Sequence, residues 1–331
     1  MCEDDKILDG QYEILRQVKA CIGDRRVRIG HKGRCRFCGR SRETTFRKLA
    51  HTFPEALGNK WVISLDECDD CNEKFSLYEN ALADSMAPLL TLGGVKGKAN
   101  KVRQTGRSEG SSVLRRENGV DRPRISVAIN GGDFKDAFGF NPSTGEFRLN
   151  MPIAGIPFRP RHAFKALCKM AIALLPEADL AQFASLRSWI LDPKDSVDFP
   201  FLDVGISMAS IGNAPPFAIG TLLRRTDRSN PIPYMLFLFC AGSICLQIDL
   251  MSDGLDDHVP PIQMGAVNIR WGTIIADDTG CEAIKIDYGT PIHLNWSSLT
   301  TQPQPIESVI LDFDPRTTQG RFTPVLRPNL Q

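Results

Sequence analysis

Two Cys-x-x-Cys pairs, Cys35-Arg36-Phe37-Cys38 and Cys68-Asp69-Asp70-Cys71, stand 29 residues apart in this chain. Each turn can set two thiolates about 2.3 Å from one ion, and two such turns complete the tetrahedral shell that structural zinc favours. The segment between the pairs is then a loop closed by metal. It contains one histidine, His51, and the second pair runs directly into Asn72. The other six cysteines are scattered, as free thiols of a reducing compartment are, and disulfides are the weaker reading.

Charge divides the chain. Residues 1–124 carry 24 Lys+Arg against 18 Asp+Glu, a surplus of six positive charges, and residues 125–331 carry 16 against 21, a deficit of five. The basic excess comes from Arg25–Lys48 and Lys96–Arg124, one on either side of the cysteine loop. A basic face beside such a loop suits a polyanion, because phosphate neutralisation and counterion release supply most non-specific affinity. Arg47, Lys48, Lys96, Lys98, Lys101 and Arg103 are the candidate nucleic-acid contacts. A solvated basic surface is the plainer alternative. No stretch approaches the length of an apolar membrane span, and no leader pattern opens the chain, so a cytoplasmic protein with no membrane partner is expected.

Four segments are expected. Residues 1–30 read as a short helical extension on the spacing of Ile7, Tyr12, Ile14, Leu15 and Val18. Residues 31–92 form the metal module, in the order strand (through Ala50-His51), strand (Trp61–Ile63) and helix (from Asp69, ended by Pro88). Residues 93–124, rich in Gly, Lys, Arg and Ser, read as a basic linker. Residues 125–331 read as an α+β domain: a hairpin across Pro142–Gly145, helices after Pro160 and from Asp179, then one curved sheet of apolar strands. No phosphate loop, nucleophile elbow or fixed repeat occurs in that half.

The run Leu49-Ala50-His51-Thr52-Phe53-Pro54, the Gly58-Asn59 turn and Cys68-Asp69-Asp70-Cys71-Asn72 together resemble the HNH endonuclease family over about residues 34–90. The resemblance implies an α+β chain in which a zinc-stapled ββα-metal module precedes a sheet-rich C-terminal domain. It implies that His51 is the general base and that Asn72 ligates a catalytic Mg²⁺ or Mn²⁺ ion, distinct from the structural zinc. Phosphodiester hydrolysis needs both a base for water and a cation at the developing charge. The residue before the histidine, an acid in many members, is Ala50 here, so another carboxylate is required. Glu79 is the first candidate and Glu55 and Glu43 the next. The asparagine that orients the family's histidine also lacks an exact counterpart, and Ser64 or Asn59 could hold the imidazole instead.

The resulting expectation is a DNA endonuclease, with RNA left open as substrate. The resemblance further implies a regulated effector, in one version of bacterial antiphage defence, whose residues 125–331 sense a cyclic oligonucleotide, dock an Argonaute-like protein or form a homo-oligomer. The rival is a non-catalytic zinc-ribbon protein that binds nucleic acid or a protein partner. His31, His162 and His258 read as ordinary surface or helical residues, and Trp61 as a packing residue.

Overall fold

The computed structural model describes residues 10–21, 25–41, 45–97, 101–103, 112–118, 123–129, 137–153, 155–196, 202–209, 217–259, 269–276, 283–303, 306–314, 316 and 319–326. Strands β1 (Tyr12–Cys21) and β2 (Val27–Ile29) lead to the first cysteine pair. Next come β3 (Ala50–His51), a 3-10 turn at Glu55–Leu57, β4 (Val62–Ser64), α1 (Asp69–Ser85) and α2 (Ala87–Gly93). Two hairpins follow, β5 (Val113–Asn118) with β6 (Pro123–Ala128) and β7 (Phe138–Asn141) with β8 (Glu146–Pro152). Helices α3 (Pro160–Leu174) and α4 (Ala184–Leu191) flank a 3-10 stretch, Glu177–Phe183. The remaining strands are β9 (Asp203–Met208), β10 (Phe217–Arg225), β11 (Met235–Ala241), β12 (Ile244–Leu250), β13 (Gly272–Ala276), β14 (Ala283–Asp287), β15 (Ile292–Asn295), β16 (Ile306–Asp314) and β17 (Gln319–Leu326).

The α+β class is as expected. Instead of one curved sheet there are several, of which the largest is antiparallel in the order β1-β10-β11-β12-β9-β15. Side chains alternate across a strand, and here both faces are covered. Ala218, Leu222, Phe237, Phe239, Leu246 and Ile248 share a core with α3 and the cysteine module. Ile219, Leu223, Leu236, Leu238 and Cys240 face a second core, completed by Trp271 and Ile275 of the β13–β14 region and by Tyr288.

The helical extension expected over residues 1–30 is corrected by β1, whose residues pair with β10 from Tyr12↔Arg225 to Cys21↔Phe217. A register shift between Ile14 and Arg16 explains the misreading. An extra residue in one strand turns the following side chains to the other face. Tyr12 therefore belongs to one core and Val18 and Ala20 to the other. The resulting spacing of apolar residues imitates a helix. Within the stretch expected as linker, Val113–Asn118 is β5, whereas α1 ends at Ser85, just before Pro88, which lies in the first turn of α2.

The module does not sit apart from the second half of the chain. Phe53, between β3 and β4, is fully buried, with its ring centroid 5.1 Å from that of Phe239. It lies over Gly220 of β10, where an added Cβ would come within 2.4 Å of the Phe53 ring and 2.8 Å of Leu174. The glycine makes that close approach possible. Removing the ring leaves a cavity at the junction, so Phe53→Ala should cost about 3–5 kcal/mol in a denaturant melt. A variant as stable as wild type would show that the junction is loosely packed.

Candidate active site

The four cysteine sulfurs lie within 4.8 Å of one another, with Cys35–Cys71 at 3.8 Å and Cys38–Cys68 at 3.6 Å. A tetrahedron with bonds of about 2.3 Å has edges of about 3.8 Å, so the cluster can hold a metal ion in a closed, four-thiolate shell. Hydrogen bonding from Cys71 holds the Cys35 thiol down to about 4, whereas burial pushes Cys68 up to about 11 and the Cys35 interaction raises Cys71 further. Three of the four cysteines are buried and Cys38 is half-buried, and four thiolates this close repel one another unless a cation lies between them. His31 is not part of the cluster.

The first knuckle is tied to the second half of the chain. Arg36 pairs with Asp66 at 2.8 Å and donates to the carbonyl of Leu175 at 2.7 Å, the open end of α3. Arg187 donates to the carbonyl of Phe37, and the Phe37 ring packs edge-on against Phe75 at 4.7 Å.

Between the knuckles, β3 and β4 pair as Ala50↔Ser64 and His51↔Ile63. Asn59 is fully buried and spends its amide on the backbone of this hairpin. Its Nδ2 donates to the carbonyls of Phe53 and Val62 at 2.8 and 2.9 Å, and its Oδ1 accepts from Trp61 and Val62 at 3.1 and 2.9 Å. An amide has two donor hydrogens and two acceptor sites, so none is left for the imidazole. Ser64 shares its hydroxyl with Thr52 at 2.9 Å. The expectation that Asn59 or Ser64 holds His51 is thereby corrected: both residues fix the hairpin that carries it. Asn59→Ala should cost on the order of 3 kcal/mol, because several backbone groups lose their partners at once. A thermal melt unchanged from wild type would count against the clamp.

His51 ends β3, half-buried, with Nδ1 out of solvent and without a hydrogen-bond partner among the described residues. Burial holds its imidazole below the ordinary histidine value. Lys169 and Arg26 push in the same direction, and Glu55 and Glu79 oppose them. The ring is accordingly neutral near pH 7, the form that can accept a proton.

Asn72 stands in the first turn of α1, half-buried, its N–H bonded to the Cys68 carbonyl at 2.9 Å. Glu79 lies seven residues on, about 10 Å along the same helix face. Its Oε1 is bonded to the ammonium of Lys169 at 3.0 Å. A carboxylate so engaged is a poor ligand for a divalent ion, since the ion would have to approach a buried positive charge. Glu79 is therefore corrected from candidate metal ligand to partner of Lys169. Glu43 and Lys98 lie outside the described residues.

Lys169 itself was invisible to motif reasoning. It sits on α3, fully buried, and besides Glu79 it meets Glu67 at 3.1 Å and the main-chain carbonyl of His51 at 2.6 Å. Burial alone would lower its pKa, but the two carboxylates outweigh that effect and raise it. Glu67 is also fully buried, and burial pushes it up to about 7. The signal available in the sequence was the pair Lys165 and Lys169, one turn apart in an otherwise apolar helix.

Among the basic candidates, Arg47, Lys48, Lys96 and Lys101 are exposed. The backbone N–H groups of Arg47 and Lys48 donate to Asp69 at the start of α1, and Lys48 forms an exposed pair with Glu73 that contributes little. Lys96 precedes Gly97, whose N–H donates to the Lys101 carbonyl at 3.0 Å and where an added Cβ would lie 3.2 Å from the Ala56 backbone. Gly97 and its neighbour Lys96 thus lie beside the turn that follows His51. Arg103 is corrected: its guanidinium pairs with Asp84 of α1 and is not presented to a phosphate. His162 is buried on α3 beside Arg159. The turn before His258 is an internal clasp, with buried Asp256 accepting from Tyr234 and Ser252.

Among the described residues, no helix is long and apolar enough to cross a membrane. Residues 35–82 match the family model of the HNH endonucleases. No curated protein and no solved structure matches the chain. The matched segment runs from the first knuckle through the hairpin into the last turn of α1, so residues 35–82 are similar to the HNH endonucleases, and the four cysteines within that segment could hold a metal ion.

Proposed function

We propose that the chain is a metal-dependent HNH endonuclease that hydrolyses DNA phosphodiester bonds, with zinc in the cysteine cluster and His51 as general base. The observation that carries this reading is His51, a neutral and half-buried imidazole with an unpartnered ring nitrogen, on a hairpin flanked by the metal site and a basic loop. In that position it takes the proton from the attacking water. Asn59 acts through the hairpin, keeping the His51 strand in register. Arg47, Lys48, Lys96 and Lys101 hold the phosphate backbone, which supplies affinity with little sequence preference. A Mg²⁺ or Mn²⁺ ion would stabilise the charge that develops on the phosphate. Among the described residues the cysteines are the one convergent group of three or more His, Cys, Asp or Glu. Such an ion would then depend on Asn72, water and the phosphate itself for ligands.

Nicking of supercoiled plasmid with Mg²⁺, Mn²⁺ or EDTA tests the reading. Metal-dependent cleavage is the expected result. An inert protein would favour the non-catalytic zinc-ribbon alternative, for which Ala50 and the engagement of Glu79 by lysine are the supporting observations. The same assay on RNA decides the substrate. Adding a panel of cyclic oligonucleotides tests the further proposal of a bacterial defence effector, in which residues 125–331 respond to a nucleotide or to an Argonaute-like partner. A rate that depends on one of them supports it.

A further inference from the structure

A buried lysine that reaches into the module from another part of the chain calls for an explanation beyond packing. The Lys169 ammonium donates hydrogen bonds to two acceptors and forms an ion pair with a third group, on three separate pieces of the module. The His51 carbonyl lies at 2.6 Å on the strand that carries the candidate base. Glu79 Oε1 lies at 3.0 Å on α1, two turns beyond Asn72. Glu67 Oε2 lies at 3.1 Å, immediately before the second cysteine pair. The base strand and the helix that carries Asn72 must keep a fixed spacing if they are to serve one phosphate, because misplacement by about 1 Å can cost a hundredfold in rate.

We propose that Lys169 is a positioning residue of the nuclease site, by which α3 sets the His51 strand against α1 and the second knuckle, so that residues 125–331 complete the site instead of only being attached to it. The inference rests on the nuclease reading above. A lysine suits the task because its three donors radiate from one point and can hold segments that no backbone ladder joins. Its charge also matters to the base. His51 is faced by Lys169 from α3, Glu79 from α1, Glu55 from the 3-10 turn and Arg26 from the approach to β2. Removing the lysine takes away a nearby positive charge and leaves Glu79 unneutralised, and both changes favour protonated imidazole.

The test is Lys169→Met, together with Lys169→Met/Glu67→Gln, which removes one charge of each sign and guards against a fold lost to an unpaired buried carboxylate. Zinc content and circular dichroism establish that the variant is folded. Two readouts follow: the plasmid-nicking rate as a function of pH, and an NMR titration of the His51 imidazole assigned by comparison with His51→Ala. The expected result is nicking slowed roughly tenfold or more at neutral pH. The acidic limb of the rate profile and the His51 midpoint should both move up by about half a unit or more. Nicking at or above the wild-type rate in the folded variant overturns the proposal. A slower rate with the limb and midpoint unmoved overturns it too, since that is what a purely structural staple would give. If the wild-type chain cleaves nothing, the nuclease reading fails and the proposal falls with it, whereas wild-type cleavage that the folded variant retains at full rate overturns the proposal alone.

Discussion

Stripping the metal from the four cysteines is expected to unfold far more of this chain than residues 35–71. A structural zinc site contributes about 10–16 kcal/mol of apparent binding free energy, which matches or exceeds the 5–15 kcal/mol by which a typical folded domain is stable. In a module joined by a loose linker, that loss would stay local. Here Phe37 of the first knuckle packs on Phe75, Arg36 closes the end of α3, and Phe53 lies between Phe239 and Gly220. Chelation with phenanthroline, or Cys71→Ser, should therefore abolish the cooperative melt of the chain and expose Trp189, which packs on Phe164 of α3. A single transition in the metal-loaded protein and none after stripping is the expected pair of results. A C-terminal melt that survives metal removal would show that the two halves are energetically independent.

His51→Ala should lower the nicking rate by about 10²–10⁴-fold, the range expected when a general base is removed. The loss should come with unchanged metal content and a nearly unchanged melt, because the knuckles and the Asn59 clamp do not use the imidazole. The pH profile carries the sign. Burial holds the His51 pKa below its ordinary 6.5, so the base is deprotonated through neutral pH. The rate should stay level above that value and fall on acidification below it. Cleavage that persists in His51→Ala would remove the histidine from the mechanism, whatever else the module does.

The module was legible because its determinants are local. Two Cys-x-x-Cys turns declare their own ligand geometry, acidic Asp69 and Asp70 mark the first turn of α1, and Gly58, with a φ of +92°, marks the turn after the 3-10 segment. The side chains around the base were read less well. Asn59 and Ser64 fall near the right place in the chain, but which groups they bond depends on how the hairpin closes. Glu79 has the spacing of a ligand and the partner of a structural acid. Strand β1 was misread because one extra residue at its register shift conceals the alternation.

The sequence by itself determined the two cysteine knuckles, the hairpin with His51 and the helix that follows, since each is set by residues within a few turns of one another. The tertiary structure alone decided what surrounds them. Lys169 reaches the His51 carbonyl across 118 residues, and the Tyr12 strand finds its partner more than 200 residues away in β10. The cost of burying a charge, and hence which acid a lysine must neutralise and which histidine stays neutral, depends on the packing of distant segments. No local pattern encodes that burial, and it exists only once α3 has closed over the module.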